Sequence, residues 1–164
     1  MTPFQAGAGR RRRPRVTPPV NGFWLTFASA SRAGADEKRF PGGTMAKILL
    51  VGYIAELLQE RERTLRSAGY AVTMASTYAS ASAAIQKQKF ELGILSFSVP
   101  EADRNMLARA LKQTDPKTKI IMTYYASVKN TELADALMQN TASAEDILRA
   151  VNHLLTVRDR EQAG

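Results

Sequence analysis

From Met45 onward the chain alternates short, almost unbroken apolar runs with longer segments whose apolar residues recur every three or four positions. That alternation is the pattern of strands joined by crossover helices, and it confines the chain to a parallel sheet covered on both faces. Five strand–helix pairs can be counted. Lys47-Ile48-Leu49-Leu50-Val51 reads as a central strand, apolar toward both faces. Gly52 ends it, and residues 54–68 carry Ile54, Leu57, Leu58, Arg61 and Leu65 at helical spacing, with Gly69 placed as the cap. A second strand is expected from Tyr70 to Met74, then a helix capped by Thr77 that buries Ala81, Ala84 and Ile85.

A third strand from Glu91 to Phe97 precedes a helix near 102–112 presenting Met106, Leu107, Ala110 and Leu111, which the turn Asp115-Pro116 ends. Lys119 to Thr123 is the fourth strand. Ser127 to Asp135 leaves room for about two helical turns, and Ala136-Leu137-Met138 reads as a short fifth strand. Ser143, Glu145 and Asp146 open the last helix, because a hydroxyl cap and first-turn acids suit its exposed amides. Met74, Met106, Met122 and Met138 read as core. Right-handed crossovers make a doubly wound five-stranded sheet the most economical topology.

The 164 residues suffice for one core and a tail, so the expected domain is 45–157, flanked by an N-terminal tail, 1–44, and a C-terminal one, 158–164. No cysteine is present, which excludes disulfides and thiolate chemistry, and His153 is the single histidine. The net charge of +8 is concentrated at the front. Residues 1–44 hold eight Lys/Arg against Asp36 and Glu37, whereas residues 45–164 hold fifteen against thirteen acids. A basic tail on a nearly balanced domain is therefore expected, not a basic binding face. No apolar run approaches the length of a membrane span.

The tail mixes prolines and glycines with the run Arg10-Arg11-Arg12-Arg13-Pro14-Arg15 and shows no periodicity, which predicts disorder. Three functional readings compete: a secretory signal built on Phe23-Trp24-Leu25-Thr26-Phe27 and Ala28-Ser29-Ala30, an organelle transit peptide, and an arm whose Arg10, Arg11, Arg12, Arg13 and Arg15 contact nucleic-acid phosphates. A fourth makes Met45 the native start and 1–44 an upstream mis-start.

The residues Lys47-Ile48-Leu49-Leu50-Val51, Ala68-Gly69-Tyr70-Ala71-Val72, Phe90-Glu91-Leu92-Gly93-Ile94-Leu95 and Val99-Pro100 resemble a response-regulator receiver domain, over residues 46–157. The resemblance implies a flavodoxin-like sheet in the order 2-1-3-4-5, a bacterial cytoplasmic setting in two-component phosphorelay signalling, and phosphoryl transfer from a histidine kinase to an aspartate. It also implies an acidic pair holding Mg²⁺, a lysine, a phosphate-sensing hydroxyl and a switch aromatic. Here Gly52 and Tyr53 stand at the acidic pair, Ser96 at the acceptor, Tyr124 at the hydroxyl, Asn140 at the lysine, Thr141 at the proline after it and Leu137 at the switch aromatic. The expectation is an atypical, degenerate receiver, a pseudo-receiver with a shortened fourth helix, no catalytic residue, no metal and no cofactor.

Other readings of these residues are weaker. Ser96 as a nucleophile needs a base, and His153 falls late in a helix running to the other edge, so Ser96 reads as a small neutral filler. Glu56, Glu101 and Asp103 are ordinary first-turn dipole partners before they are a metal site. Gly52 alone does not make a phosphate loop. Tyr53, Tyr124 and Tyr125 either fill the vacated pocket or make protein contacts. The function expected is a stand-alone module acting by protein–protein interaction with a sensor kinase, another regulator or its own copy. The alternative is a nucleic-acid-associated regulator using the arginine arm, and an enzyme is the most distant possibility.

Overall fold

The computed structural model describes residues 45–127 and 129–164, so every reading of the tail 1–44, the arginine arm included, lies outside the described residues. Strand β1 (Lys47–Val51) alternates its side chains between two cores, as the two-residue period of a strand requires. Ile48 and Leu50 enter one, Leu49 and Val51 the other. Around it lie β2 (Ala71–Ala75), β3 (Leu92–Leu95), β4 (Lys119–Tyr124) and β5 (Ala136–Gln139). All pairs are parallel and the order is β2-β1-β3-β4-β5, as expected.

Helices α1 (Ala55–Ser67) and α4 (Ala144–Ala163) close one face with Leu58, Leu65, Ile147, Val151 and Leu155. Helices α2 (Tyr78–Lys87) and α3 (Glu101–Thr114) close the other with Ala81, Ile85, Leu107 and Leu111. Thr77 and Ser143 cap α2 and α4 in capping boxes, each side chain accepting from the backbone three residues on. Gly69 ends α1 at φ 93°, a left-handed turn that a side chain would strain.

The sheet also needs a bare backbone at Gly93. A Cβ there would stand 2.5 Å from Cδ1 of Leu111, itself buried. Gly93→Ala is expected to lower stability by about 1–3 kcal/mol, the usual cost of overpacking, as read by urea unfolding. The Gly93→Ala/Leu111→Ala double variant should lose less than the sum of its two single variants, whereas strictly additive losses would show that the two positions do not collide.

Three readings of the sequence change. Met122 is buried and Met138 packs against the core, but Met74 is 40% and Met106 51% exposed. Met74 lies on the edge strand β2, and Met106 points away from the stripe of Leu107, Ala108 and Leu111 that faces the sheet. Apolarity alone does not tell these from core positions. The last helix continues to Ala163 and buries Arg158 beside Asp115, through residues expected to form a tail.

The shortened fourth helix is not formed: among the described residues of 125–135 there are only turns and bends. A parallel crossover needs about a dozen residues, and this one spends its whole length on the crossing. Asn130 takes φ 59°, the Ala134 amide donates to the Thr131 carbonyl, and Asp135 fastens the exit. The Asp135 carboxylate accepts from the Ile120 amide at 2.8 Å and from Lys112 Nζ at 3.0 Å, while its own amide donates to the Ile120 carbonyl. No helix of the described residues is long and apolar enough to cross a membrane.

Candidate functional site at the carboxyl edge of the sheet

In an open parallel sheet the strand order reverses beside β1, and the crevice outside the carboxyl ends there is where such folds bind ligands. The structure brings Gly52, Tyr53 and Ser96 together at that point, because β1 pairs directly with β3. The Ser96 amide donates to the Val51 carbonyl at 2.9 Å, and Ser96 is 1% exposed. Gly52 is buried against it. A Cβ on Gly52 would stand 3.0 Å from the Ser96 Cβ and 3.1 Å from Cδ2 of Leu58. The backbone of β1, the serine and a leucine of α1 therefore fill the floor of the crevice.

A residue that sequence reasoning passed over ties this floor to its rim. Ser98 Oγ accepts from the Tyr53 amide at 2.9 Å and donates to Ser96 Oγ at 3.3 Å. Nothing in the local pattern singles out Ser98; its place follows from the turn after β3. The Tyr53 hydroxyl donates to Asp103 on α3 at 3.3 Å. Burial first, and the Asp103 carboxylate second, push the phenol's pKa up, so it stays the donor of that bond.

Deeper, Thr123 Oγ1 accepts from the Phe97 amide at 2.8 Å, and Nη1 of the buried Arg104 donates to the Thr123 carbonyl at 2.7 Å. Arg104 was also missed, since a cation on an amphipathic helix reads as solvated. Tyr124 and Asn140 meet through their backbones, the Asn140 amide donating to the Tyr124 carbonyl at 2.7 Å. Leu137 pairs in register with Met122 and is 45% exposed on the edge strand. Tyr125 is 79% exposed, its ring 6.4 Å from that of Phe97.

The remaining candidates stay apart from this floor. His153 is exposed on α4, and the hydroxyl beside Ser96 is that of Ser98. Glu56 lies in the first turn of α1; Glu101 and Asp103 lie in that of α3, where Glu101 accepts from Asn130 and Asp103 from Tyr53. Among the described residues no three His, Cys, Asp or Glu side chains gather as for a metal ion.

No family model and no curated protein sequence matches the chain. Solved structures do. The response regulator receiver domain protein (CheY-like) from Methanospirillum hungatei JF-1 superimposes with a TM-score of 0.66 at 25% identity, over 72% of this chain and 99% of that one. The fold is that of a response-regulator receiver domain. The Vibrio cholerae chemotaxis protein CheY4 gives a TM-score of 0.60 at 24% identity, over 68% of this chain and 99% of that chain. A response regulator receiver domain protein from Clostridium thermocellum gives 0.63 at 20% identity, over 70% and 98% of the two chains. What this chain shares with them is the receiver fold, its own sheet running in the order β2-β1-β3-β4-β5.

Proposed function

We propose that this domain is a pseudo-receiver: a cytoplasmic signalling module that binds another protein without aspartyl phosphorylation and without catalysis of its own. The observation that carries the reading is the closed floor of the crevice, where Gly52 packs on Ser96 and Leu58. Mg²⁺ demands near-octahedral oxygen ligation and is held in phosphate sites through one or two carboxylates. Gly52, Tyr53 and Ser96 offer hydroxyls and no carboxylate, so they do not fit that ion. A serine cannot form the acyl phosphate that an aspartate forms, and Asn140 brings no positive charge to phosphoryl oxygens.

What remains for this edge and for β5 is contact with protein. Exposed Tyr53 and Tyr125 are of the residue type that anchors interfaces once desolvated, and Leu137 adds an exposed apolar side chain on β5. A sensor kinase, another regulator or a second copy would be the partner. The charge surplus of the tail favours a second reading, in which Arg10, Arg11, Arg12, Arg13 and Arg15 contact nucleic-acid phosphates. Equal, salt-insensitive DNA affinity of the full chain and of its Arg-to-Gln variant would dismiss it.

The main reading is tested with acetyl phosphate and magnesium, and separately with beryllofluoride and magnesium. The expected outcome is an unchanged mass in the first case and unchanged amide chemical shifts around Ser96 in the second. A magnesium-dependent acyl phosphate would overturn the proposal.

A further inference from the structure

The rim of the crevice combines two properties. It is apolar: Tyr53 is 37%, Ile54 40% and Tyr125 79% exposed, with the half-buried Phe97 beside Tyr125. It is also anionic, since Glu56, Glu101 and Asp103 sit among these residues while the same loops expose Lys129. The hydrogen bonds from Tyr53 to Asp103 and from Asn130 to Glu101 tie the loops after β1 and β4 to the first turn of α3, at the same edge.

The segment 1–44 carries the complementary pair. Its surplus of six positive charges centres on Arg10 to Arg15, and Phe23-Trp24-Leu25-Thr26-Phe27 follows within a few residues. We infer that this segment docks on its own domain's carboxyl edge, the arginines against Glu56, Glu101 and Asp103 and the aromatic stretch against Tyr53, Ile54 and Tyr125. Guanidinium groups suit such a surface twice over, because they pair with carboxylates and stack on tyrosine faces.

Chain length permits it. The segment joins the domain at the opposite end of the sheet, ahead of β1, a strand of five residues that spans about 17 Å. Arg15 lies thirty positions ahead of Met45, and a connection of that length reaches a root-mean-square distance of about 30 Å even when coiled. Tethering makes the encounter intramolecular at an effective concentration on the order of millimolar, so weak contacts suffice. The docked segment would cover the surface that the protein partner proposed above would use. The docking itself does not rest on that reading.

Trp24 is the single tryptophan, so emission from the full chain reports on the segment directly. At low salt its emission should be blue-shifted and protected from acrylamide. Raising salt from 0.1 M to 1 M shortens the screening length from about 10 Å to about 3 Å, and the emission should shift to the red with loss of protection. The full-chain double variant Glu101→Lys/Asp103→Lys should show the unprotected spectrum already at low salt, and Tyr125→Ser, at an exposed position, should lose part of the protection. Glu145→Lys, on the exposed first turn of α4, should change nothing. Solvent-exposed emission at every salt concentration, equal loss in the Glu145→Lys variant, or protection that scales with protein concentration and so reports a second copy, would each overturn the inference.

Discussion

Arg61→Leu is expected to stabilise the protein by about 3 kcal/mol, the scale on which an uncompensated buried charge costs stability. Arg61 lies between Leu58 and Leu65 on the buried stripe of α1 and is 1% exposed. Its Nε, Nη1 and Nη2 are all buried without a hydrogen-bond partner. Burial accordingly draws its pKa below the ordinary guanidinium value, against the opposing pull of Glu60. The arginine stem already packs like a hydrocarbon, so leucine keeps that contact and removes the unpaired cation.

The other two buried arginines behave differently. Arg104 donates to the Thr123 carbonyl and Arg158 to Asp115, so leucine at either position should lower stability. Urea unfolding followed by circular dichroism measures all three. A lower midpoint for Arg61→Leu would mean that the guanidinium is held by an interaction the folded chain needs.

Gly52→Asp, which puts a carboxylate where the resemblance to receivers implies one, is expected to destabilise the domain by about 3–5 kcal/mol and to confer no magnesium affinity. Two costs combine. The new Cβ meets Ser96 Cβ at 3.0 Å and Leu58 Cδ2 at 3.1 Å, so core atoms must move, and the carboxylate enters a buried site that faces hydroxyls and a leucine. Adding Leu58→Ala relieves the crowding but opens a cavity and leaves the charge unpaired, so the double variant should lose less than the sum of its two single variants and stay well below the parent. Calorimetry with MgCl₂ supplies the second readout. A Gly52→Asp protein as stable as the parent and binding Mg²⁺ would show that the crevice is still open, and the pseudo-receiver reading would fail with it.

Much of the architecture was written in apolar spacing. The β1 run, the Thr77 and Ser143 caps and the Gly69 turn all stand where the pattern put them, because each depends on residues a few positions apart. The same spacing placed Arg61 on the buried stripe of α1, where it lies, but it misled at Met74 and Met106, counted as core though exposed. By length alone, Ser127 to Asp135 reads as about two turns of helix. Its path is governed instead by the Asp135 carboxylate reaching back to Ile120 and Lys112, a link across the sheet that no local spacing encodes.

The site divides along the same line. That Gly52, Tyr53 and Ser96 are uncharged is plain from the letters, and the resemblance to receivers put them at one crevice. That the crevice is filled is a tertiary fact: Gly52 touches Ser96 and Leu58, Ser98 spans from Ser96 to Tyr53, and Tyr53 reaches Asp103. Periodicity registers which way a side chain faces, because helix and strand geometry repeat along contiguous backbone. Contacts between residues some fifty positions apart depend on how the crossovers stack the helices on the sheet, and only the folded chain holds that distance.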